Sequence, residues 1–413
     1  MRGEGGRGMV RVERREIVIV GAGPAGSALA FFLARAGRDA LLVDRAEFPR
    51  DKTCGDALSP RALDVLRTMG LAAELAPLGA VSRRVRFVAP GGAAAETAIP
   101  GRDGEDGRVL GLPRRELDER LRRRAVEAGA SFRGGCRVEA PLVEGGRVVG
   151  FAARDAEGPL ELRCAAAALA VGATLPLVDR CGLAAGRRAL GAAARLYARG
   201  DVAEEGTIEF FFDGAPLPGY GWIFPVGPGL ANVGAGRGPA RRAEVGVSAR
   251  RVFDSFVASS SVAPRLAGAR LDGPPRAFPL RFDFLDSPLA RPGLVLVGEA
   301  AGLVNPLSGE GIDFALESGM LAAENLAAAL AAGVSPEETA RRHAAALRRH
   351  CARWFRGILW VRDLYLRRAT LDRLVGAARR RPELARLLAQ IALGAAPPRA
   401  AFAPTTILKL VAG

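Results

Sequence analysis

The sequence predicts an α/β protein: a Rossmann-type unit in two parts, an inserted, mainly antiparallel sheet domain between them, and a run of C-terminal helices. Three observations carry this. Residues 17–44, IVIVGAGPAGSALAFFLARAGRDALLVD, read as strand, tight turn, helix and strand. A second apolar run leading through a glycine-rich turn into a helix recurs at 293–312. From about 187 to 289 the helical pattern gives way to short strands separated by Gly and Pro.

In the first stretch, Gly21 allows the turn, Gly23 lets the backbone approach a pyrophosphate, and Gly26 lets helix and strand pack closely. The phosphates then face the helix N-terminus, where free N–H groups and the positive dipole end meet negative charge. Asp44 closes the next strand 18 residues after Gly26, where a carboxylate can accept the hydroxyls of an adenosine ribose. The chain therefore binds a dinucleotide.

Residues 45–60 are dense in turn formers and contain Cys54-Gly55; a glycine-flanked cysteine here either lies near a reactive ring or is a small buried residue. A helix follows, with Ser59 as N-cap and Pro60 at its first position. Val81 to Val88 alternates as one half-exposed strand, and 100–107 is a loop. Pro113 opens a charged helix whose first-turn Arg114 can reach a phosphate. Strands follow from Cys136 to Gly172.

Within the inserted segment, PGYGWIFP places Tyr220, Trp222 and Phe224 on one face of a strand, as core packing or as a wall against a flat or oily ligand. In GEAAGLVNPLSGEGI, a strand ends at Glu299 and Gly311 precedes a long helix, so a carboxylate and a helix dipole can hold a second part of a cofactor. Beyond Gly333 the chain is helical, with arginine-rich faces, Trp354, Phe355, Trp360 and Tyr365, and an apolar tail at 407–411. Such helices either lie on an anionic membrane or pack as a cap with a solvated arginine face, and the cap is the simpler expectation. His343 and His350 read as surface or packing residues.

The 413 residues carry a net charge of +15. Apart from Lys52 and Lys409 the basic residues are all Arg, a skew that a GC-rich genome would also give. The charge favours anionic lipids, phosphorylated substrates or acidic proteins; no recognition motif for nucleic acid is present. Five scattered cysteines fit neither a disulfide framework nor a metal site. Residues 1–15 read as a flexible extension without an apolar core, and Met9 offers an alternative start. The longest apolar run, 164–178, is too short to span a bilayer. A cytoplasmic protein, soluble or peripheral at the inner face of the membrane, is expected.

Three separated stretches, GAGPAG…LLVD, FPRDKTCGDALSP and GEAAGLVNPLSGEGIDFALESGMLAAE, together with PGYGWIFPVGPGLANVGAG, resemble the geranylgeranyl reductase family of FAD-dependent oxidoreductases, within the para-hydroxybenzoate hydroxylase-like superfamily. The resemblance covers roughly residues 15 to 330. It implies a Rossmann-type FAD-binding domain in two parts, 16–186 and 290–332, with a substrate domain at 187–289 between them; the helical region at 333–413 lies beyond it and rests on the residue pattern. It further implies that FAD is held by Gly21, Gly23, Pro24, Ala25, Gly26, Asp44, Arg45 and Arg114 at one end. At the ring end the implied contacts are Cys54, Gly55, Gly298, Glu299, Gly309, Glu310, Gly311 and Ile312, with Tyr220, Trp222 and Phe224 lining a lipid pocket.

The chain departs from the family at three places. Glu299 stands where the superfamily usually has Asp, the aromatic motif is one residue tighter before Tyr220, and Gly172-Ala-Thr-Leu-Pro-Leu replaces an Asp-Gly pair that helps hydroxylases bind NAD(P)H. The expected activity is hydride transfer from reduced flavin to a carbon–carbon double bond of an apolar, prenyl substrate, with Cys54 and Tyr220 as candidate proton donors or gates. NAD(P)H or a ferredoxin-like protein would be the electron donor. The alternatives are a monooxygenase or halogenase of secondary metabolism, a quinone-linked oxidoreductase, and a catalytically degenerate flavin-binding protein. Lys52 is a poor match for the halogenase lysine.

Overall fold

The computed structural model describes residues 10–101, 107–184, 191–238, 248–404 and 406. Its first sheet has the parallel strands Leu294–Leu296, Gly158–Leu169, Arg11–Val20, Ala40–Val43 and Ser131–Arg133 side by side in that order. Arg137–Glu144 and Arg147–Asp155 add an antiparallel flap to Gly158–Leu169. Successive side chains of Arg11–Val20 enter different cores: Ile17 and Ile19 pack with Leu29, Leu42 and Leu316, whereas Val18 and Val20 pack with Phe151, Leu169 and Phe284. Burial on both faces from Ile17 to Val20 is why that end of the strand reads as a continuous apolar run.

Helices Pro24–Arg35 and Ile312–Ala331 cover one face and lie against each other. A Cβ on Gly319 would fall 2.5 Å from the Ala25 carbonyl oxygen, so a larger residue there would push the helices apart. This contact brings the two halves of the Rossmann-type unit into one body, although nearly 300 residues separate them in sequence.

The second sheet runs Arg270–Leu271, Gly191–Arg199, Leu230–Arg237, Gly219–Gly227, Thr207–Phe211, Arg84–Val88 and Ala94–Ala98, with Arg276–Leu280 also pairing Gly191–Arg199. All its pairs are antiparallel except Thr207–Phe211 with Arg84–Val88. Helix Ala249–Val257 covers one face through Val252, Phe253 and Phe256. Helices Arg368–Arg380 and Pro382–Ala392 pack on the other face through Val375, Ala378 and Leu384.

Three expectations change. The strand begins at Arg11, not at residue 16, because the Gly158–Leu169 strand is long enough to pair it from Leu160 onward. The segment Val81 to Val88 is two strands: Ala80–Ser82 joins a small sheet with Ala57–Leu58 and Val109–Gly111, while Arg84–Val88 joins the second sheet. That sheet therefore draws two strands, within 84–98, from outside the expected 187–289 segment. The C-terminal helices cap the molecule, with Phe355 and Tyr365 buried and Trp354 half-buried. The apolar tail at 407–411 lies outside the described residues. No described helix is long and apolar enough to cross a membrane.

Candidate functional site

A cavity of about 1140 Å³ runs from the end of the first strand to the aromatic face of the second sheet. Pockets for single small ligands span roughly 300–1,000 Å³, so this one has room for a large cofactor with a substrate beside it.

At one end the chain turns at Gly21, where a φ of +105° and the Ala170 carbonyl oxygen, which a Cβ would meet at 2.5 Å, both exclude a side chain. A Cβ on Gly26 would collide with the Gly21 oxygen at 1.9 Å, which is how the helix sits so close to the turn. Gly23 differs, because its missing side chain opens towards two guanidiniums, Arg114 Nη2 at 3.7 Å and Arg50 Nη2 at 3.9 Å. Asp118, fully buried, accepts from Arg114 Nε and Nη2, each at 2.7 Å, and from Arg50 Nη1 at 2.7 Å. One carboxylate thus aims two cations at a backbone nest beside a helix N-terminus, a fit for a pyrophosphate. Asp44 accepts from the Ala22 and Ala46 N–H groups at 2.8 and 2.9 Å, one on each oxygen. Each oxygen keeps a lone pair for a ribose hydroxyl. Pro24, Ala25 and Arg45 line the same end.

At the other end, Gly309, Glu310, Gly311 and Ile312 form the entry to the 20-residue helix Ile312–Ala331 and line the cavity. Glu299 also lines it, and accepts from the Arg281 N–H at 3.2 Å. Burial raises its carboxyl, with Lys52 the leading opposing influence. Arg281 is itself fully buried and holds the Glu299 turn by donating to the Ala300 carbonyl at 2.7 Å. Burial raises Glu310 well above the usual carboxylate range, Asp313 adds to this, and Glu310 Oε1 has no partner among the described residues. Gly26 and Gly298 are packing residues that do not line the cavity: a Cβ on Gly298 would lie 2.9 Å from that of Ala25.

The Cys54–Asp56 loop faces the aromatic strand. Trp222 Nε1 donates to Asn232 Oδ1 at 2.9 Å, and Asn232 Nδ2 donates to the Cys54 carbonyl and to Asp56 Oδ2, each at 2.8 Å. Tyr197 donates its hydroxyl to the same Asp56 oxygen at 2.6 Å. Asp56 Oδ1 lacks a partner among the described residues, and Asp56 has the only positive φ, 62°, of a described non-glycine residue. Burial pushes its carboxyl up to about 6, against Tyr197, Arg195 and Asn232. Burial likewise raises the Cys54 thiol and the Tyr220 phenol, and Tyr220 donates to the Ser308 carbonyl. Tyr220, Trp222 and Phe224 do share a face, closed by Phe210, which lies 5.3 Å from the Tyr220 ring and 5.2 Å from that of Phe224. Lys52 lines the cavity with its ammonium 3.0 Å above the Phe278 ring; burial, then Arg114, pushes it down to about 8.

Sequence reasoning missed Arg50, Asp118, Asp56, Tyr197 and the bonding role of Asn232. Arg50 and Asp56 stand in the recognised FPRDKTCGD stretch, and Asp118 sits one helical turn after Arg114, which was the available signal.

Residues 14–183 match the family model of the FAD binding domain. A menaquinone reductase of Mycolicibacterium smegmatis is 36% identical over 332 residues, covering 75% of this chain and 76% of the relative. Digeranylgeranylglycerophospholipid reductase 2 of Methanopyrus kandleri is 34% identical over 349 residues, 82% of each chain. A geranylgeranyl bacteriochlorophyll reductase-like protein of Thermoplasma acidophilum shares the fold, with a TM-score of 0.78 at 23% identity over 95% of this chain and 99% of that one. The cofactor is FAD, and the chain belongs to the geranylgeranyl reductase family of FAD-dependent oxidoreductases.

Proposed function

We propose that this protein reduces a carbon–carbon double bond in the prenyl chain of a lipid, with prenylated quinones of the menaquinone type as the favoured substrates. The observation that carries the reading is the wall of Phe210, Tyr220, Trp222 and Phe224, which lies in the same cavity as the FAD-binding glycines. The relative named menaquinone reductase, more similar than the digeranylgeranylglycerophospholipid reductase, supports the quinone-bearing class.

Bound FAD, once reduced, supplies the hydride. The chain's own task is to hold an apolar substrate against the aromatic wall and to present a proton to the second carbon. Burial keeps the Cys54 thiol and the Tyr220 hydroxyl protonated, and Asp56, with its carboxyl near 6 and Oδ1 free, is the strongest acid of the three. Asn232 ties Asp56, the Cys54 backbone and Trp222 together, so acid and wall are held in one hydrogen-bonded unit.

The test is anaerobic. The FAD-loaded protein is reduced with dithionite and mixed with a menaquinone or a digeranylgeranyl lipid. The expected result is flavin reoxidation and a product heavier by about two mass units, a hydride plus a proton, that survives exposure to air. A mass gain that air reverses would instead mean reduction of the quinone ring, the reading favoured by the relative's name alone. Reoxidation only on admission of oxygen, with an oxygenated product, would mean a monooxygenase. NAD(P)H and a reduced ferredoxin replace dithionite in parallel to find the electron donor.

A further inference from the structure

Trp360 is the most exposed large apolar side chain among the described residues, with 72% of its surface open, and Leu364 one turn later is 44% exposed. Both lie on helix Pro336–Tyr365 in the row Arg349, Arg353, Arg356, Trp360, Leu364. Steps of three and four residues put all five on one face. The opposite face is core, through Cys351, Phe355 and Ile358.

What sets this row apart is that its arginines share one helix face with two exposed apolar residues. Several surface arginines elsewhere have acids, Arg341 and Arg342 sharing Glu338, Arg250 pairing Asp254, and Arg84 and Arg86 sharing Glu96 and Glu204, while others, such as Arg35, Arg115 and Arg373, have no partner among the described residues. Arg349, Arg353 and Arg356 are exposed and have no hydrogen-bond or ion-pair partner among the described residues. No acid interrupts the row. Asp363, the acid nearest its C-terminal end, receives two hydrogen bonds from Arg362, and Glu317, beside His350, is engaged by Arg61. Three uncompensated guanidiniums followed by Trp and Leu form the pattern of a helix lying in a lipid interface, where cations meet headgroups and an indole sits at the boundary.

We propose that this face docks the protein on the surface of an anionic lipid bilayer. An acidic protein would match the arginines but would leave the exposed Trp360 and Leu364 unexplained, whereas a bilayer takes both. A second feature favours lipid. Val361 and Tyr365, each next in sequence to one of those apolar residues, line a smaller, almost wholly apolar cavity. That cavity shares Phe210, Tyr220, Leu307 and Ser308 with the large one, so one helix end carries both the exposed apolar pair and part of an apolar lining that reaches the site. The proposal stands independently of the reaction, since vesicle binding needs no turnover.

The experiment is co-sedimentation of the FAD-loaded protein with phosphatidylcholine vesicles, with and without phosphatidylglycerol. Binding is expected only with phosphatidylglycerol, and should weaken as salt rises. Each arginine near an anionic surface contributes about fivefold in affinity, so Arg353→Gln with Arg356→Gln should weaken binding about 25-fold. Trp360→Ser should weaken it too and abolish any blue shift of tryptophan emission seen on vesicle addition. Flavin content and melting temperature should not change in either variant, which separates loss of docking from loss of fold. Variants that bind as the wild type does, or a wild type that ignores phosphatidylglycerol, would overturn the proposal. So would a wild-type dimer converted to monomers by Trp360→Ser, which would assign the face to a second copy of the chain.

Discussion

Gly23→Val is the substitution that most directly tests the cofactor site, because geometry separates its effect on binding from its effect on folding. Gly23 lies at φ −80°, ψ −171°, ordinary extended backbone that valine adopts without strain. A Cβ there would meet only Arg114 Nη2 at 3.7 Å and Arg50 Nη2 at 3.9 Å, normal van der Waals distances. The fold should therefore survive. What the side chain takes is the space between the nest and the two guanidiniums, where the pyrophosphate belongs. Losing two charge-assisted hydrogen bonds at about 1.5–3 kcal/mol each costs about 3–6 kcal/mol. That corresponds to a rise in the FAD dissociation constant of about two to four orders of magnitude. Gly26→Ala is the contrasting control, since its Cβ would fall 1.9 Å from the Gly21 oxygen and must break the helix–turn packing. The assay is flavin absorbance per protein after purification, with melting temperature measured with and without added FAD. The expected outcome is a folded, flavin-free Gly23→Val protein that added FAD no longer stabilises, and a Gly26→Ala protein that melts early or does not accumulate. Full flavin occupancy in Gly23→Val would refute the placement of the phosphates.

Asp118→Asn leaves Arg50 and Arg114 buried or half-buried with weakened charge compensation; breaking such a pair costs about 3–5 kcal/mol, so urea midpoint and flavin retention should fall together. The Asp56 carboxyl sits near 6 in the folded protein against an ordinary 3.8, so the native state holds more protons than the unfolded chain between these values, and its stability drops as pH rises through that window. For a buried group this is about 3 kcal/mol, and Asp56→Asn, which can still accept from Tyr197, should make the pH 4 to 6 stability profile flatter by about that amount. An unchanged profile would mean that Asp56 is not held near 6. Asp313, Glu299 and Glu310, whose carboxyls burial also raises, contribute slope of the same sign in both proteins and so cancel in the comparison. Burial raises the Cys54 thiol, so alkylation of the native protein at neutral pH should be far slower than that of a free cysteine; rapid labelling mapped to Cys54 would contradict its placement.

The sequence by itself determined the Rossmann-type unit, its dinucleotide, the division of labour among Gly21, Gly23 and Gly26, and the shared face of Tyr220, Trp222 and Phe224. These follow from interactions within a turn or along one strand, where φ, steric room and a period of two decide the outcome locally. With the accompanying motifs, the resemblance extended this to FAD and the family. Only the tertiary structure decided which residues meet across the chain. Arg50 reaches Asp118 over 68 positions, Tyr197 reaches Asp56 over 141, and Asn232 reaches Asp56 over 176. No periodicity encodes such pairs; they arise because the strand order of each sheet and close helix contacts such as Gly319 on Ala25 bring distant segments of the chain together. The same reason explains the misread segments. Ala80–Ser82 and Arg84–Val88 share one alternating pattern, yet only the partner strands available in space send them to different sheets. For the C-terminal helices, amphipathicity showed that each has an apolar side, but packing alone settled that Phe355 and Tyr365 turn inward while Trp360 is left outside.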